Sequence, residues 1–326
     1  MKLIFTGDWH LRGNNPRNRI DDYPTTAVAK LQEVFKLAVE HDAKYILMPG
    51  DVWDRPEVSI AVLLGYAKVL NESPVPIYIT PGNHDIYGYN LNSYGRSSLR
   101  LLEMLVPKVH VITEPKACEL ATGRYTVYLT ATPYSRQMDI NGYGYSPEVD
   151  ILPNTVNIHM AHGMLLDHKP PFDRYSDLYK VPSTADIVLT GHDHLGYGVY
   201  NRADGVTFCN PGSLLRISAS VSEIERQVRV ALIDVDTITA KHTIEFLPLT
   251  TARPGDEVLD RSRIEEEKQR QYAMEAFSTL IQTHTGGKVL MDINQIVDTI
   301  AAENNFAPDV VKTALEVIDQ QRETVV

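Results

Sequence analysis

Cysteine is scarce: Cys118 and Cys209 are the two in 326 residues. Two cysteines cannot build a disulfide framework, and their spacing fits no metal motif. Both read as small buried hydrophobes of a protein kept in a reducing compartment. Long apolar runs are missing as well. No stretch approaches the roughly 20 residues that a membrane-spanning helix needs. The opening Met1-Lys2-Leu3-Ile4-Phe5-Thr6 is too short in its apolar part for a signal peptide. A cytoplasmic protein with no membrane segment is therefore expected. Positive charge is also in deficit, with 31 Lys and Arg against 42 Asp and Glu, a net charge of −11. A protein that grips nucleic acid through its phosphates alone usually shows a basic composition. That mode is disfavoured here unless bound cations supply the charge, and two divalent ions would add about four positive charges at one site. Repeats and low-complexity tracts are absent too. What remains, 43% hydrophobic and 22% charged residues, is the composition of a globular protein with a substantial core.

The first half alternates strands and helices. Lys2 to Thr6 reads as a strand, and Arg12 to Pro24 as a polar loop. Thr25 or Thr26 then caps a helix whose apolar face is Val28, Leu31, Val34, Phe35 and Ala38. The run Tyr45-Ile46-Leu47-Met48 is a buried strand stopped by Pro49-Gly50. A helix from Val58 to Leu70, a strand Ile77-Tyr78-Ile79 and a helix from Ser97 to Leu105 follow, as parallel βαβ units require. Short strand-like runs come next: 109–112, 117–120, 125–132, 156–162, 187–190, 206–209, 228–235 and 243–247. A pair of mixed sheets with helices outside is expected. A boundary falls near Arg253-Pro254-Gly255, giving a first domain of residues 1–252 and a helical region of residues 256–326. In that region Ala273, Ala276, Phe277, Leu280 and Ile281 form one apolar stripe, which Thr285-Gly286-Gly287 breaks. Ile293, Ile296, Val297, Ile300 and Ala301 form a second stripe, and Val310, Val311, Ala314, Leu315 and Ile318 a third after Pro308.

Chemistry concentrates in five segments, each after an expected strand: Asp8-x-His10, Gly50-Asp51-x-x-Asp54, Gly82-Asn83-His84-Asp85, His162 and Gly191-His192-x-His194. A carboxylate just beyond a buried strand sits where α/β folds place their ligands. Oxygen and imidazole donors without thiolate suit manganese, iron or zinc. Two ions about 3.5–4 Å apart need a shared ligand, and the carboxylate of Asp51 can give one oxygen to each. His192 and His194, one residue apart, project to the same side of an extended segment. Taken singly, Asp8 or Asp51 would serve as a helix cap or loop residue. His159 competes with His162, but His162 ends its strand whereas His159 lies inside. Asp54 reads as a supporting or capping residue, and Trp9 and Trp53 as packing residues.

In their order and wording these segments resemble the calcineurin-like metallophosphoesterase superfamily, over roughly the first 250 residues. The resemblance implies an α/β (α+β) fold, a two-sheet β-sandwich flanked by helices, here with a helical C-terminal region. It implies two divalent metal ions, manganese being expected, with iron, zinc, magnesium and cobalt as alternatives. One ion would be held by Asp8, His10, Asp51 and His194, and the other by Asp51, Asn83, His162 and His192. His84 would contact the phosphate and assist the leaving group, with Asp85 orienting it. Within the superfamily, Phe5-Thr6-Gly7-Asp8-Trp9-His10-Leu11, Gly50-Asp51-Val52-Trp53-Asp54, Pro81-Gly82-Asn83-His84-Asp85 and Asn210-Pro211-Gly212-Ser213 resemble the SbcD exonuclease family, in its bacterial form. That likeness implies a nuclease subunit of a DNA repair and recombination complex acting on DNA. It also implies an SbcC-like coiled-coil ATPase partner, bound through the C-terminal helices, and a homodimer. The same site would equally serve a small-substrate phosphatase or a cyclic-nucleotide phosphodiesterase, and a scaffold that had lost its metals would keep the fold. Substrate choice is assigned to the loops around Tyr87 and Pro170 and to the helical tail.

Overall fold

The computed structural model describes residues 1–150, 152–284, 293–304 and 306–323. It divides into two compact units, Met1–Leu259 and Asp260–Val326.

In the first unit β1 (Lys2–Phe5), α1 (Tyr23–Glu40), β2 (Ala43–Met48), α2 (Ile60–Asn71), β3 (Ile77–Ile79), α3 (Ser98–Leu105) and β4 (Val109–Val111) follow one another. The chain then builds β5 (Cys118–Ala121), β6 (Thr126–Thr132), the short α4 (Met138–Asn141), β7 (Thr155–His162), β8 (Leu165–Leu166), β9 (Ser176–Asp177), β10 (Ile187–Gly191), β11 (Gly198–Asn201) and β12 (Thr207–Asn210). After α5 (Val221–Glu225), strands β13 (Arg229–Val235) and β14 (His242–Pro248) return to the first sheet, and α6 (Gly255–Val258) closes the unit. The two main sheets run β14-β13-β1-β2-β3-β4 and β11-β12-β10-β7-β6-β5, while β8 and β9 pair by themselves. Strands β1 to β4 are mutually parallel, as are β6, β7, β10 and β12, so both sheets present a set of carboxyl ends.

Alternation along β1 shows how the layers form. Leu3 and Phe5 point between the sheets, against Leu129, Ile158, Met160 and Ile233. Ile4 points the other way, into the cluster made with Leu31, Val34 and Leu70 of the helices. A strand buried on both faces reads as an unbroken apolar run, which is why Leu3-Ile4-Phe5 lacks the polar alternation of a surface strand. The outer face of the second sheet, with Val188 and Phe208, packs on Met138, Tyr145 and Leu178. Trp9 and Trp53 are fully buried packing residues.

Several expectations need correction. The cap of α1 is Asp22, whose carboxylate accepts from the Thr25 N–H at 3.1 Å, and Pro24 lies inside the first turn. Proline at a helix start gives up an N–H that has no partner there anyway, so a proline taken as loop belongs to the helix. Cys118 is half-buried rather than buried, because β5 is an edge strand. Residues after 252 still belong to the first unit: α6 is tied back by the Ile20 N–H bond to Val258 and by a bridge between Arg19 and Leu259.

The second unit contains α7 (Ser262–His284), α8 (Ile293–Asn304) and α9 (Pro308–Glu323). Its core is Val297, Ile300 and Ala314, with Met274, Ala301, Phe306, Val311 and Leu315 packed around them. Ala276, expected on the apolar stripe of α7, is exposed. The side chains of Phe277, Leu280, Ile281, Ile293, Ile296 and Ile318, and the Thr285-Gly286-Gly287 break, lie outside the described residues. Among the described residues, no helix is long and apolar enough to cross a membrane.

Candidate metal centre

The five segments leave the carboxyl ends of β1, β2, β3, β7 and β10 and meet at one edge of the sandwich. Asp8, His10 and His194 bring ligand atoms within 4.8 Å of one another, as do Asp51, His162 and His192. Asp51 joins the groups. Its Oδ2 is 3.6 Å from His10 Nε2 and 3.4 Å from His162 Nε2. Asn83 Oδ1 lies 3.0 Å from the same His162 nitrogen, and His194 Nε2 is 2.9 Å from His10 Nε2. All seven expected ligands are thus brought together. His159 is not among them. It is sealed in the second sheet, where it bonds to Thr130 Oγ1 at 2.8 Å and the Gly144 carbonyl at 2.9 Å.

The backbone is bent to make this convergence. His10, Asp51 and His192 have φ of 47°, 58° and 76°. Non-glycine residues avoid this left-handed region, at a cost on the order of 1–3 kcal/mol each, and such strain gathers at functional sites. Its compensation is visible. The Asp51 carbonyl accepts N–H bonds from Trp9 at 3.1 Å and His10 at 2.9 Å, locking the first two loops together. Close approach needs glycine: a Cβ on Gly82 would lie 2.2 Å from Asp51 Oδ1 and 2.3 Å from the Asp51 nitrogen.

Asp85 shows a role that differs from the expected one. Its fully buried carboxylate does not reach the ring of His84. Oδ2 accepts the N–H of Asp51 at 2.8 Å, Gly82 at 3.0 Å and Val52 at 3.3 Å, and Oδ1 that of Trp53 at 3.1 Å. Asp85 therefore fixes the strained turn that carries Asp51. His84 is oriented instead by its Nδ1–H, which donates to the Asp54 carbonyl at 2.8 Å. The Asp54 carboxylate pairs with Arg12 at 3.1 Å. Asn210-Pro211-Gly212-Ser213 has a supporting part: the Ser213 N–H bonds to the His194 carbonyl at 3.0 Å, the Leu214 N–H to the Asp8 carbonyl at 2.8 Å. Sequence reasoning missed Tyr134, whose ring centroid is 5.5 Å from that of His192 and 6.0 Å from that of His162. No motif surrounds it; only its place just beyond β6 marks it.

The electrostatics ask for a cation. Burial by itself would raise Asp51, but the charges of His162, His10 and His84 hold it well below the usual carboxylate range. Asp8 is also lowered, burial being outweighed by its bond to His194 and the charge of His162. Burial opposes a charge on His162, yet Asp51 raises it to about 9. Burial, then the His162 charge, push His192 down to about 4, and burial takes His10 down to about 3. Burial, then Asp51, raise Asp85 to about 7 against its four N–H donors. His194 is raised as well, burial being outweighed by its bond to Asp8 and that residue's charge. Asp51 Oδ2 is buried without a hydrogen-bond partner, a costly state for an ionised oxygen unless a cation meets it. His162 donates Nδ1–H to the Pro49 carbonyl at 3.0 Å, which leaves Nε2 as the ligating nitrogen. These residues fit divalent metal ions.

A catalytic half built on two sheets, with carboxylates, imidazoles and an asparagine at their carboxyl edge, defines a metal-dependent phosphoesterase. The chain belongs to the calcineurin-like phosphoesterase family, whose model matches residues 1–196. It is a hydrolase of a family that binds two divalent metals. No curated protein matches it. Among solved structures it is similar to an archaeal phosphodiesterase, at 13% identity and a TM-score of 0.36, covering 76% of this chain and 100% of that one. It is also similar to a candidate 5′-nucleotidase from Staphylococcus aureus solved with α-ketoglutarate, at 13% identity and a TM-score of 0.45. That match covers 82% of this chain and 57% of the other.

Proposed function

We propose that the chain is a dinuclear-metal phosphodiesterase that acts as a DNA nuclease subunit of a repair or recombination complex. The observation that carries the phosphodiesterase reading is the sharing of Asp51 between two buried ligand groups. In this reading Asp8, His10, Asp51 and His194 hold one ion, and Asp51, Asn83, His162 and His192 hold the other, with manganese as the working metal. Bound there, the ions lower the pKa of a water and offset charge on the phosphoryl oxygens. The chain's own residues do the rest. His84 donates Nδ1–H to Asp54, so a second proton on Nε2 makes an imidazolium facing the metal groups. That ring stabilises a phosphoryl oxygen and then gives the Nε2 proton to the departing alkoxide. Asp85 keeps Asp51 in its strained turn throughout.

The nuclease reading rests on the motif resemblance of the first 213 residues, and the net charge of −11 favours a smaller phosphoester as its rival. The deciding experiment incubates the manganese-loaded protein with linear duplex DNA, single-stranded DNA and bis(p-nitrophenyl) phosphate. Processive digestion of duplex supports the nuclease; hydrolysis of the small ester with DNA left intact supports the rival. The helical region from Asp260 onward is proposed to dock on a coiled-coil ATPase. Equal capture of that ATPase by the full chain and by a chain ending at Leu259 would refute that role.

A further inference from the structure

Beside the metal centre lies a cleft of about 400 Å³ whose lining includes Tyr89, Tyr134 and Tyr143, within the range of small-molecule sites. Tyr134 joins the two. Its ring centroid is 6.0 Å from that of His162 and 5.5 Å from that of His192, and Tyr89 of the cleft lining lies 5.7 Å away. The ring is firmly mounted. The Tyr134 N–H donates to the Pro81 carbonyl at 2.9 Å, in the loop that carries Asn83. Its hydroxyl donates to Asp139 at 3.3 Å, and Asp139 accepts the Met164 N–H at 2.7 Å, two residues beyond His162. A movement of Tyr134 would therefore disturb two ligand loops.

Tyr89 is the opposite case. It is 47% exposed, at φ 61° beside Gly88 at φ 58°, and its ring is covered by the Arg136 guanidinium, 4.9 Å from the centroid. The fold thus leaves this tyrosine half in water, with a cation over its ring. The rest of the lining is mixed: Leu91, Pro115, Ala131 and Pro133 add apolar surface, and Gln137, Asn90 and Glu148 carry amide and carboxylate groups. Aromatic and apolar surface beside amide and carboxylate groups matches the flat face and the donor and acceptor edge of a heterocyclic base.

We propose that this cleft is a nucleobase subsite. With a phosphoryl group at the metal centre, the attached nucleoside lies along Tyr134, its base stacks on the Tyr89 ring, tilted 54° from that of Tyr134, and Gln137 and Glu148 meet its edge. This rests on the phosphodiesterase reading and narrows it to nucleotide substrates, whether a mononucleotide or one residue of a strand. Base stacking of this kind is worth about ten-fold in affinity.

Calorimetric binding to the manganese-loaded full chain tests it, with adenosine 5′-monophosphate against ribose 5-phosphate, and tetrathymidylate against an abasic strand of equal length. The expected result is about ten-fold tighter binding of the base-bearing member of at least one pair. Tyr89→Ala should abolish most of that advantage, and Tyr89→Phe should keep it. An advantage in the first pair alone indicates a mononucleotide; an advantage in the second indicates a strand. Equal affinities within both pairs, or an advantage that survives Tyr89→Ala, overturn the proposal. Hydrolysis of bis(p-nitrophenyl) phosphate is followed in parallel. Its absence would count against the phosphodiesterase reading, while the binding comparison still decides the cleft.

Discussion

Replacing Asp85 by asparagine should loosen the metal centre without touching any expected metal ligand. The carboxylate is fully buried and accepts four backbone N–H bonds, three at Oδ2 and one at Oδ1. An asparagine can keep its carbonyl oxygen where three donors converge. Its NH₂ group then faces the Trp53 N–H from the Oδ1 position, 3.1 Å away in the native protein. One buried donor is left unsatisfied, which costs about 1–3 kcal/mol. Spread over a unit of this size, that is a fall in Tm of about 2–10 °C. Asp85→Ala leaves all four donors without an acceptor and should cost more than twice as much. Because Asp51 sits at φ 58°, weaker anchoring lets its turn relax and moves the shared carboxylate. Loss of such a supporting contact lowers metal affinity about 10- to 100-fold. Thermal melts with and without manganese, together with manganese titration, measure both effects. If Asp85→Asn melted with the wild type and bound manganese equally well, the role given to Asp85 would be wrong.

Two further outcomes follow from the geometry. Gly82→Ala puts a Cβ 2.2 Å from Asp51 Oδ1, so metal binding should fall by more than ten-fold, as bound metal measured after dialysis would report. Burial holds His159 at about 4 against about 6.5 in an unfolded chain. A lowered histidine contributes stability that is present above pH 6.5 and lost as pH falls through 4. The shift of 2.5 units corresponds to about 3 kcal/mol. Urea unfolding at pH 7 and pH 4 should therefore show a smaller acid loss for His159→Gln than for the wild type, and equal losses would count against this.

The strands and their ligands were readable from the sequence because each follows a local rule. Ile77-Tyr78-Ile79 is an apolar run stopped by Thr80-Pro81-Gly82, and it is a strand over those three residues. His162 ends β7 as expected, while His159 stays inside it. What was not readable depends on contacts between distant segments. Asp85 lies beside His84 in the chain, yet it bonds to the turn at Asp51, 34 residues away. Tyr134 acquires its place from Pro81 and Asp139, and nothing near it in sequence signals a wall of the site. The end of the first unit was set too early because the bonds that retain α6 come from Arg19 and Ile20. Periodicity reports what a segment does by itself, and these are properties of pairs.

The most direct test of the shared-ligand account is the metal content and phosphodiesterase activity of Asp51→Asn, measured beside the wild type after manganese loading and gel filtration. The account predicts two ions per wild-type chain. For the variant it predicts fewer than one, with hydrolysis of bis(p-nitrophenyl) phosphate reduced at least about 100-fold, the extreme reached by losing a mere supporting contact. Two ions per chain and full activity in Asp51→Asn would contradict it.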